Sequence, residues 1–341
     1  METTASTIEL RAPAPHDCDL CGGADFAAVA HSDRRGDPLE TVVCTRCGLV
    51  SHALIPTEDE LTNFYAREYR RAYHGEVAPS ARRVMRAWQK GELILRRLSP
   101  FMRRSDRVLE IGSGIGCTVR RFQLAGYDAQ GIEPNDGFRE YGVNTFHARV
   151  RPGGLLDIPA EPLYDVVLLV HVIEHLGTPR RAFERIRRML RPGGRLYVEC
   201  PNLGAPFALG DKLFHFGHVH NFTPATLRML ARRSGFEVVT QFATPEDPNL
   251  RLLLVKMDER DETLDSDSYD QTIAALARYN MVTYHLRRSY LRMRLGMVAR
   301  AITEALLAPA YVRRVTAQCE QHGSADNWQR TIETPSRRLA A

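Results

Sequence analysis

From residue 107 to 256, short apolar runs alternate with segments of helical period. RVLEI runs into GSGIG, and CTVRRFQLAG follows as a helix closed by Gly126. YDAQGIEPN reads as a second strand, ending in Glu133. YDVVLLV is a continuous apolar run, the mark of a strand buried on both faces. RRAFERIRRML predicts a helix, and GRLYVECPN a further strand. FTPATLRMLARRSGF predicts a helix with Thr223 as N-cap, Pro224 in the first turn and Gly235 as its stop. FEVVTQF and LRLLLVKMD close the region as two strands joined by a short loop, an expected antiparallel edge pair. Strands that alternate with helices predict an α/β fold built on a mostly parallel sheet with helices on both faces.

The flanks have other rhythms. Residues 1–15 are polar and carry two prolines, which predicts a loose tail. FAAVAHS and LETVVC alternate well enough for short strands. The stretch 57–99 is helical in pattern, with Thr57 as N-cap, and Tyr65, Tyr69 and Tyr73 share one face. That face could pack on the next domain or form a ledge over a ligand. Beyond 256 comes an acidic segment, DERDETLDSDSYD, then an arginine-rich helical pattern from about 269 to 315. The divisions expected are 1–56, a tail and small cysteine module; 57–104, a helical linker or lid; 105–256, the α/β domain; and 257–341, a helical extension.

Cys18, Cys21, Cys44 and Cys47 form two CxxC pairs, each followed by a glycine that can complete a tight knuckle. Four thiolates at this spacing predict one tetrahedral, structural Zn2+ in a zinc ribbon, because four protein ligands leave no open position. Cys117 and Cys200 read as structural thiols, and Cys319 in the tail carries no signal.

Composition narrows the partners. Apolar residues make up 44% and charged residues 26%, with a net charge of +5, ordinary for a globular protein. No dense basic stripe is present, so nucleic acid is not an expected partner. No run approaches the roughly 18 apolar residues of a membrane span, and the N-terminus has no basic start followed by an apolar stretch. A cytoplasmic protein that does not engage membranes is the expectation. RLGMVARAITEALLAPAYVRR is apolar with arginines at both ends; it predicts a core helix or a homodimer contact in the C-terminal helices, with a helix lying on a membrane surface as the alternative.

Glu110, Gly112, Gly114 and Gly116 make E-x-G-x-G-x-G between a strand and a helix, and Glu133 closes the next strand. Glycines let a ligand approach the backbone, and the later acid can take two ribose hydroxyls. Glu110 would repel a pyrophosphate but could face a cationic amino-acid end, which favours S-adenosylmethionine over NAD.

LEIGSGIG, GIEPN, LLDIP, YDVVLLVHVIEHL, LRPGG and ECPN, in that order and followed by the late strand pair, resemble the class I SAM-dependent methyltransferases over about residues 105–256. The cysteine module with its Tyr-rich helix resembles the N-terminal zinc module of methyltransferases from sugar and natural-product pathways, including the sugar C-methyltransferases. Those proteins carry a large third α/β domain where this chain has its helical tail. The resemblance implies a Rossmann-like, seven-stranded domain. It also implies roles: Gly112 and Gly114 against the methionine part, Glu110 near its amino group and Glu133 on the ribose. Leu156 and Asp157 would border the adenine, and His171 would line the cofactor.

HVIEHL follows the fourth strand, so His171, Glu174 and His175 stand at its carboxyl edge, where ligands bind in such folds. Methyl transfer to oxygen or carbon needs a proton removed, and a histidine suits a general base. His175 is the candidate base, with Glu174, His171 and His220 as further catalytic candidates. H-x-x-E-H also places three ligand-capable groups within one turn, and FHFGHVHNF adds His215, His218 and His220 downstream. A divalent ion, or a Glu–His pair that only orders the loop, are the alternatives. The expected function is methylation of a small molecule: a sugar, nucleotide sugar or secondary-metabolite intermediate. An RNA methyltransferase that grips RNA with its ribbon competes. Against it, no N/D-P-P-Y/F motif follows the fourth strand and the ribbon has no cluster of basic and aromatic residues.

Overall fold

The computed structural model describes residues 16–57, 60–61, 78–205 and 208–322. Tyr65, Tyr69 and Tyr73 lie outside them. In chain order the elements are β1 (Phe26–Ser32), β2 (Pro38–Cys44), β3 (Val50–His52), α1 (Ala81–Leu98), β4 (Arg107–Ile111) and α2 (Cys117–Leu124). Then come β5 (Asp128–Glu133), α3 (Asp136–Phe146), β6 (Val150–Pro152), β7 (Tyr164–Val170), α4 (Pro179–Met189), β8 (Leu190–Pro201) and β9 (His220–Asn221). The rest are α5 (Pro224–Arg233), β10 (Phe236–Gln241), β11 (Asn249–Lys256), α6 (Ser268–Ala277), α7 (Met281–Leu286) and α8 (Arg288–Gln321).

The chain forms two compact units. One joins Met1–Tyr69 to Ile158–Met297, and the other joins Arg70–Asp157 to Val298–Ala341. Of the strands in the seven-stranded sheet, β10-β11-β8-β7 belong to the first unit and β4-β5-β6 to the second. This is the Rossmann-like α/β architecture expected for the class I methyltransferases.

In the first unit β7 and β8 run parallel, while β11 and β10 follow antiparallel, the edge pair expected from the pattern. A second sheet has the order β1-β2-β3-β9. Its last strand comes from the FHFGHVHNF segment, with Ser51 opposite His220. Ala27, Ala30, Val43, Val50, Leu203 and Phe214 form a core beneath it, with Tyr269 and Ile273 of α6 packed on its side. LRPGG is not the simple turn that its Pro and Gly suggest. Leu190 pairs with Tyr164 and Arg195 with Val166, so five steps of β8 oppose two of β7. The proline and glycines are a bulge inside a twelve-residue strand.

In the second unit β4, β5 and β6 are parallel and in register. Val84, Trp88, Ile115, Cys117, Phe138 and Phe146 pack together with Val315 and Cys319 of α8. Cys319, silent in the sequence, is thus fully buried core. The buried Glu304 accepts a bidentate pair from Arg86 of α1, with Nε to Oε1 at 2.7 Å and Nη2 to Oε2 at 2.5 Å.

One helix, Tyr290–Gln321, is long and apolar enough by length and composition to cross a membrane. The sequence reading counted uninterrupted apolar runs. Arg300 and Glu304 interrupt the run, while the mean hydropathy of an 18-residue window still reaches 1.3.

Candidate functional site

The turn after β4 is shaped by what its backbone must do. Gly112, Gly114 and Gly116 all have positive φ, at 69°, 56° and 73°. Gly112 and Ser113 both donate to the carbonyl of Ile132, which ties the turn to the end of β5. Gly114 N–H donates to Glu133 Oε2 at 2.7 Å, and Asn135 N–H donates to Oε1 at 2.9 Å. A Cβ at Gly114 would meet nothing within 4 Å, whereas one at Gly116 would stand 2.8 Å from Val150 Cγ2. Gly116 is glycine for packing and Gly114 has an open face. Glu110 is buried, and Oε2 has no hydrogen-bond partner among the described residues. Burial pushes its carboxyl up to about 8, against a hydrogen bond from Thr118 and the charge of Lys90. These residues fit an adenosyl group carrying a cationic amino-acid end. Leu156 is exposed, and Asp157 Oδ2 accepts from Gly154 N–H at 2.8 Å, so both stand on the surface of the segment after β6.

In the first unit, the segment after β7 turns sharply. His171 has φ of +53°, the left-handed region that a non-glycine residue enters at a cost. Its N–H donates to the Glu199 carbonyl at 2.7 Å, which holds the strain in place. Its Nδ1 lies 3.2 Å from Glu174 Oε1, and its Nε2 lies 3.6 Å from Glu199 Oε1. Glu174 is 1% exposed. Burial opposes its charge, but the His175 ring and the His171 hydrogen bond together outweigh that and hold its carboxyl below the usual range. His175 donates from Nδ1 to the Gly217 carbonyl, and its Nε2 is 3.9 Å from Glu174 Oε1. Burial drives the His175 ring toward its neutral form. His218 packs on His215 with ring centroids 3.8 Å apart and on His175 at 5.0 Å.

His171, Glu174 and His175 therefore sit together, and His218 joins them. His220 does not belong to this group. It is buried in β9, pairs Nε2 with the Gly177 carbonyl at 3.2 Å, and lines a cavity of about 170 Å³ with His16, Asp17, Ser51 and Thr178. Glu199 was quoted from ECPN without a role. It backs His171 and accepts from Tyr197 Oη at 2.9 Å. His52, close after the second cysteine pair, is 1% exposed and lies beside His215 and His218. Chain distance hid both, since their partners come from remote strands and loops.

Cys18, Cys21, Cys44 and Cys47 converge, with Sγ atoms 3.5 Å apart in the pairs Cys18–Cys47 and Cys21–Cys44. The knuckles close through Gly22 N–H to the Cys18 carbonyl and Gly48 N–H to the Cys44 carbonyl. Four sulfurs about 2.3 Å from one centre stand a little under 4 Å apart, so the set fits a tetrahedral Zn2+.

Residues 81–241 match the family model described as a methyltransferase domain. That match covers a little under half of the chain and is to a methyltransferase domain; beside it stand a buried four-cysteine group and a C-terminal helix. It is similar to the tRNA U34 carboxymethyltransferase of Klebsiella pneumoniae (strain 342), at 26% identity over 201 residues, 54% of this chain and 59% of that protein. It is also similar to the ubiquinone biosynthesis O-methyltransferase of Rhizobium etli, at 30% identity over 104 residues, 28% of this chain and 41% of that protein. Among solved structures, the 1,6-didemethyltoxoflavin-N1-methyltransferase of Burkholderia thailandensis, with bound 1,6-didemethyltoxoflavin and S-adenosylhomocysteine, aligns at a TM-score of 0.47 and 19% identity. That alignment covers 62% of this chain and 96% of that one. The chain spans between 37% and 59% of the length of these and other curated relatives.

Proposed function

We propose that this protein transfers a methyl group from S-adenosylmethionine to oxygen or carbon of a small molecule: a sugar, nucleotide sugar or secondary-metabolite intermediate. The observation that carries it is the clasp of Glu133 by the N–H of Gly114, beside an open glycine face and the buried Glu110. Gly112 and Gly114 take the methionine part, Glu133 the ribose, Leu156 and Asp157 the adenine edge, and Glu110 the amino group. The four cysteines hold Zn2+ as a structural clip. Removal of the acceptor's proton centres on His175. The Gly217 carbonyl fixes its tautomer and leaves Nε2 basic, with Glu174 beside it. The acceptor's oxygen or carbon then displaces the sulfonium, which leaves as the neutral thioether, and alignment supplies much of the rate.

Titration calorimetry with S-adenosylmethionine tests the cofactor. No heat with folded protein would end the proposal. A screen of sugars and nucleotide sugars with methyl-labelled cofactor tests the acceptor. Turnover should fall roughly 10²–10⁴-fold in His175→Ala. A second reading, methylation of RNA, draws on the printed name of the Klebsiella pneumoniae relative, which aligns with 54% of this chain. Phosphate contacts make RNA affinity fall steeply with salt, so a flat salt response would discard it.

A further inference from the structure

Glu174, His175 and His218 each offer one ligand atom, and the three atoms lie within 4.8 Å of one another. We propose that these residues hold a first-row divalent cation, and that this cation, with His175 as its ligand in place of a direct base, activates the acceptor. The inference rests on the methyl-transfer reading and specifies how the acceptor is activated.

Three features of the group support a cation there. Glu174 Oε2 is buried and has no hydrogen-bond partner among the described residues, a costly state for a carboxylate oxygen that a cation would relieve. The His218 ring makes no hydrogen bond there, although it is packed against two other imidazoles. The His175 Nδ1–H is committed to the Gly217 carbonyl, the outer contact that orients a ligating histidine and turns Nε2 toward a metal. Three atoms bound at about 2.1 Å to one centre stand roughly 3.4 Å apart. Two imidazoles and one carboxylate select zinc, iron, cobalt or nickel over magnesium, and they leave at least one position open. Glu174 and His175 come from the turn after β7 and His218 from the segment before β9, so the set draws on two stretches remote in sequence.

With the cation in place, His175 Nε2 is a ligand and takes no proton. An acceptor hydroxyl or enolisable carbonyl binds the open position through oxygen. The cation lowers its pKa, the proton goes to solvent, and the resulting oxygen or carbon nucleophile takes the methyl group as the sulfonium leaves.

The test uses the full chain, stripped with chelator and reloaded with Zn2+ or Co2+. Metal per chain, cobalt spectra and binding of S-adenosylmethionine are read on wild type, Glu174→Gln and His218→Ala. The cysteines give one equivalent with thiolate charge-transfer bands. The proposal expects a second equivalent without those bands, lost in both variants while the thiolate signature stays. It also expects turnover of a methyl-accepting substrate to fall at least tenfold when only the second equivalent is removed. A single equivalent in wild type, unchanged in His218→Ala, would overturn it and leave His175 as a direct base. So would a second equivalent that survives both substitutions. Neither result touches the methyl-transfer reading, which falls only if S-adenosylmethionine fails to bind.

Discussion

Two glycines two residues apart illustrate what one side chain can decide. Gly116 has φ of 73°, and an added Cβ would press on Val150 at 2.8 Å and Ala148 at 3.0 Å. Gly116→Ala should cost roughly 2–3 kcal/mol in urea unfolding, because backbone strain and overpacking act together. Gly114→Ala meets open space, so its cost should be the smaller strain of about 1 kcal/mol, and the loss should fall on cofactor affinity. Glu110 adds a pH signature. Its carboxyl, held up to about 8 by burial, is protonated at neutral pH in the free protein. Pairing with a cationic amino group requires its ionised form, so binding takes up the cost of losing that proton below pH 8. S-adenosylmethionine affinity should therefore strengthen as pH rises toward 8 and then level off, by up to about tenfold per unit. Glu110→Gln should flatten the profile. The three glycines and Glu110 fall within seven residues, so their pattern is visible in the sequence. What stayed hidden was that Gly114 N–H grips Glu133 directly, since the partner lies on the next strand.

Elements were legible where their own period decided them, and less so where another element did. The strands around the cysteines and the helix capped by Thr223 follow from local pattern; that cap is a full box with Thr226. Gly48 is different: a Cβ there would stand 2.5 Å from the Ser268 carbonyl, because α6 docks its first turn on the second knuckle and Ser268 Oγ donates to the Cys47 carbonyl at 2.8 Å. The acidic run before α6 gave no hint of that contact. α8 gave less still. Its exposed apolar residues dominate the pattern, while Val315 and Cys319 complete the core under Trp88 and Phe146. Val315→Ala should destabilise the protein by about 2 kcal/mol, two lost methyl groups plus a cavity. Leu306→Ala, at a position 73% exposed, should stay within about 0.5 kcal/mol. Equal midpoints for the two variants would remove α8 from the core.

Across the whole molecule, the unusual quantity is the number of buried imidazoles. His52 is 1% exposed, and burial pushes its pKa down to about 4, against the opposing pull of the His215 and His218 backbones. His215 and His220 are driven to about 3, mainly by burial as well. An unfolded chain protonates these rings near pH 6.5, while the folded one keeps them neutral until about pH 4 or below. Over that window the unfolded state binds more protons, so stability rises with pH and is lost as pH falls from about 6.5 toward 4. His52 alone accounts for about 3 kcal/mol at the acid end, from a shift near 2.5 units. Acid also strips zinc from thiolates, so the two causes must be separated. Urea midpoints at pH 7 and pH 5 under saturating Zn2+, for wild type and His52→Leu, do so. Leucine removes the titrating ring while keeping an apolar side chain of similar bulk, so the variant's midpoint should fall less on acidification than that of wild type. If both fall equally, the buried histidine contributes nothing to the acid sensitivity.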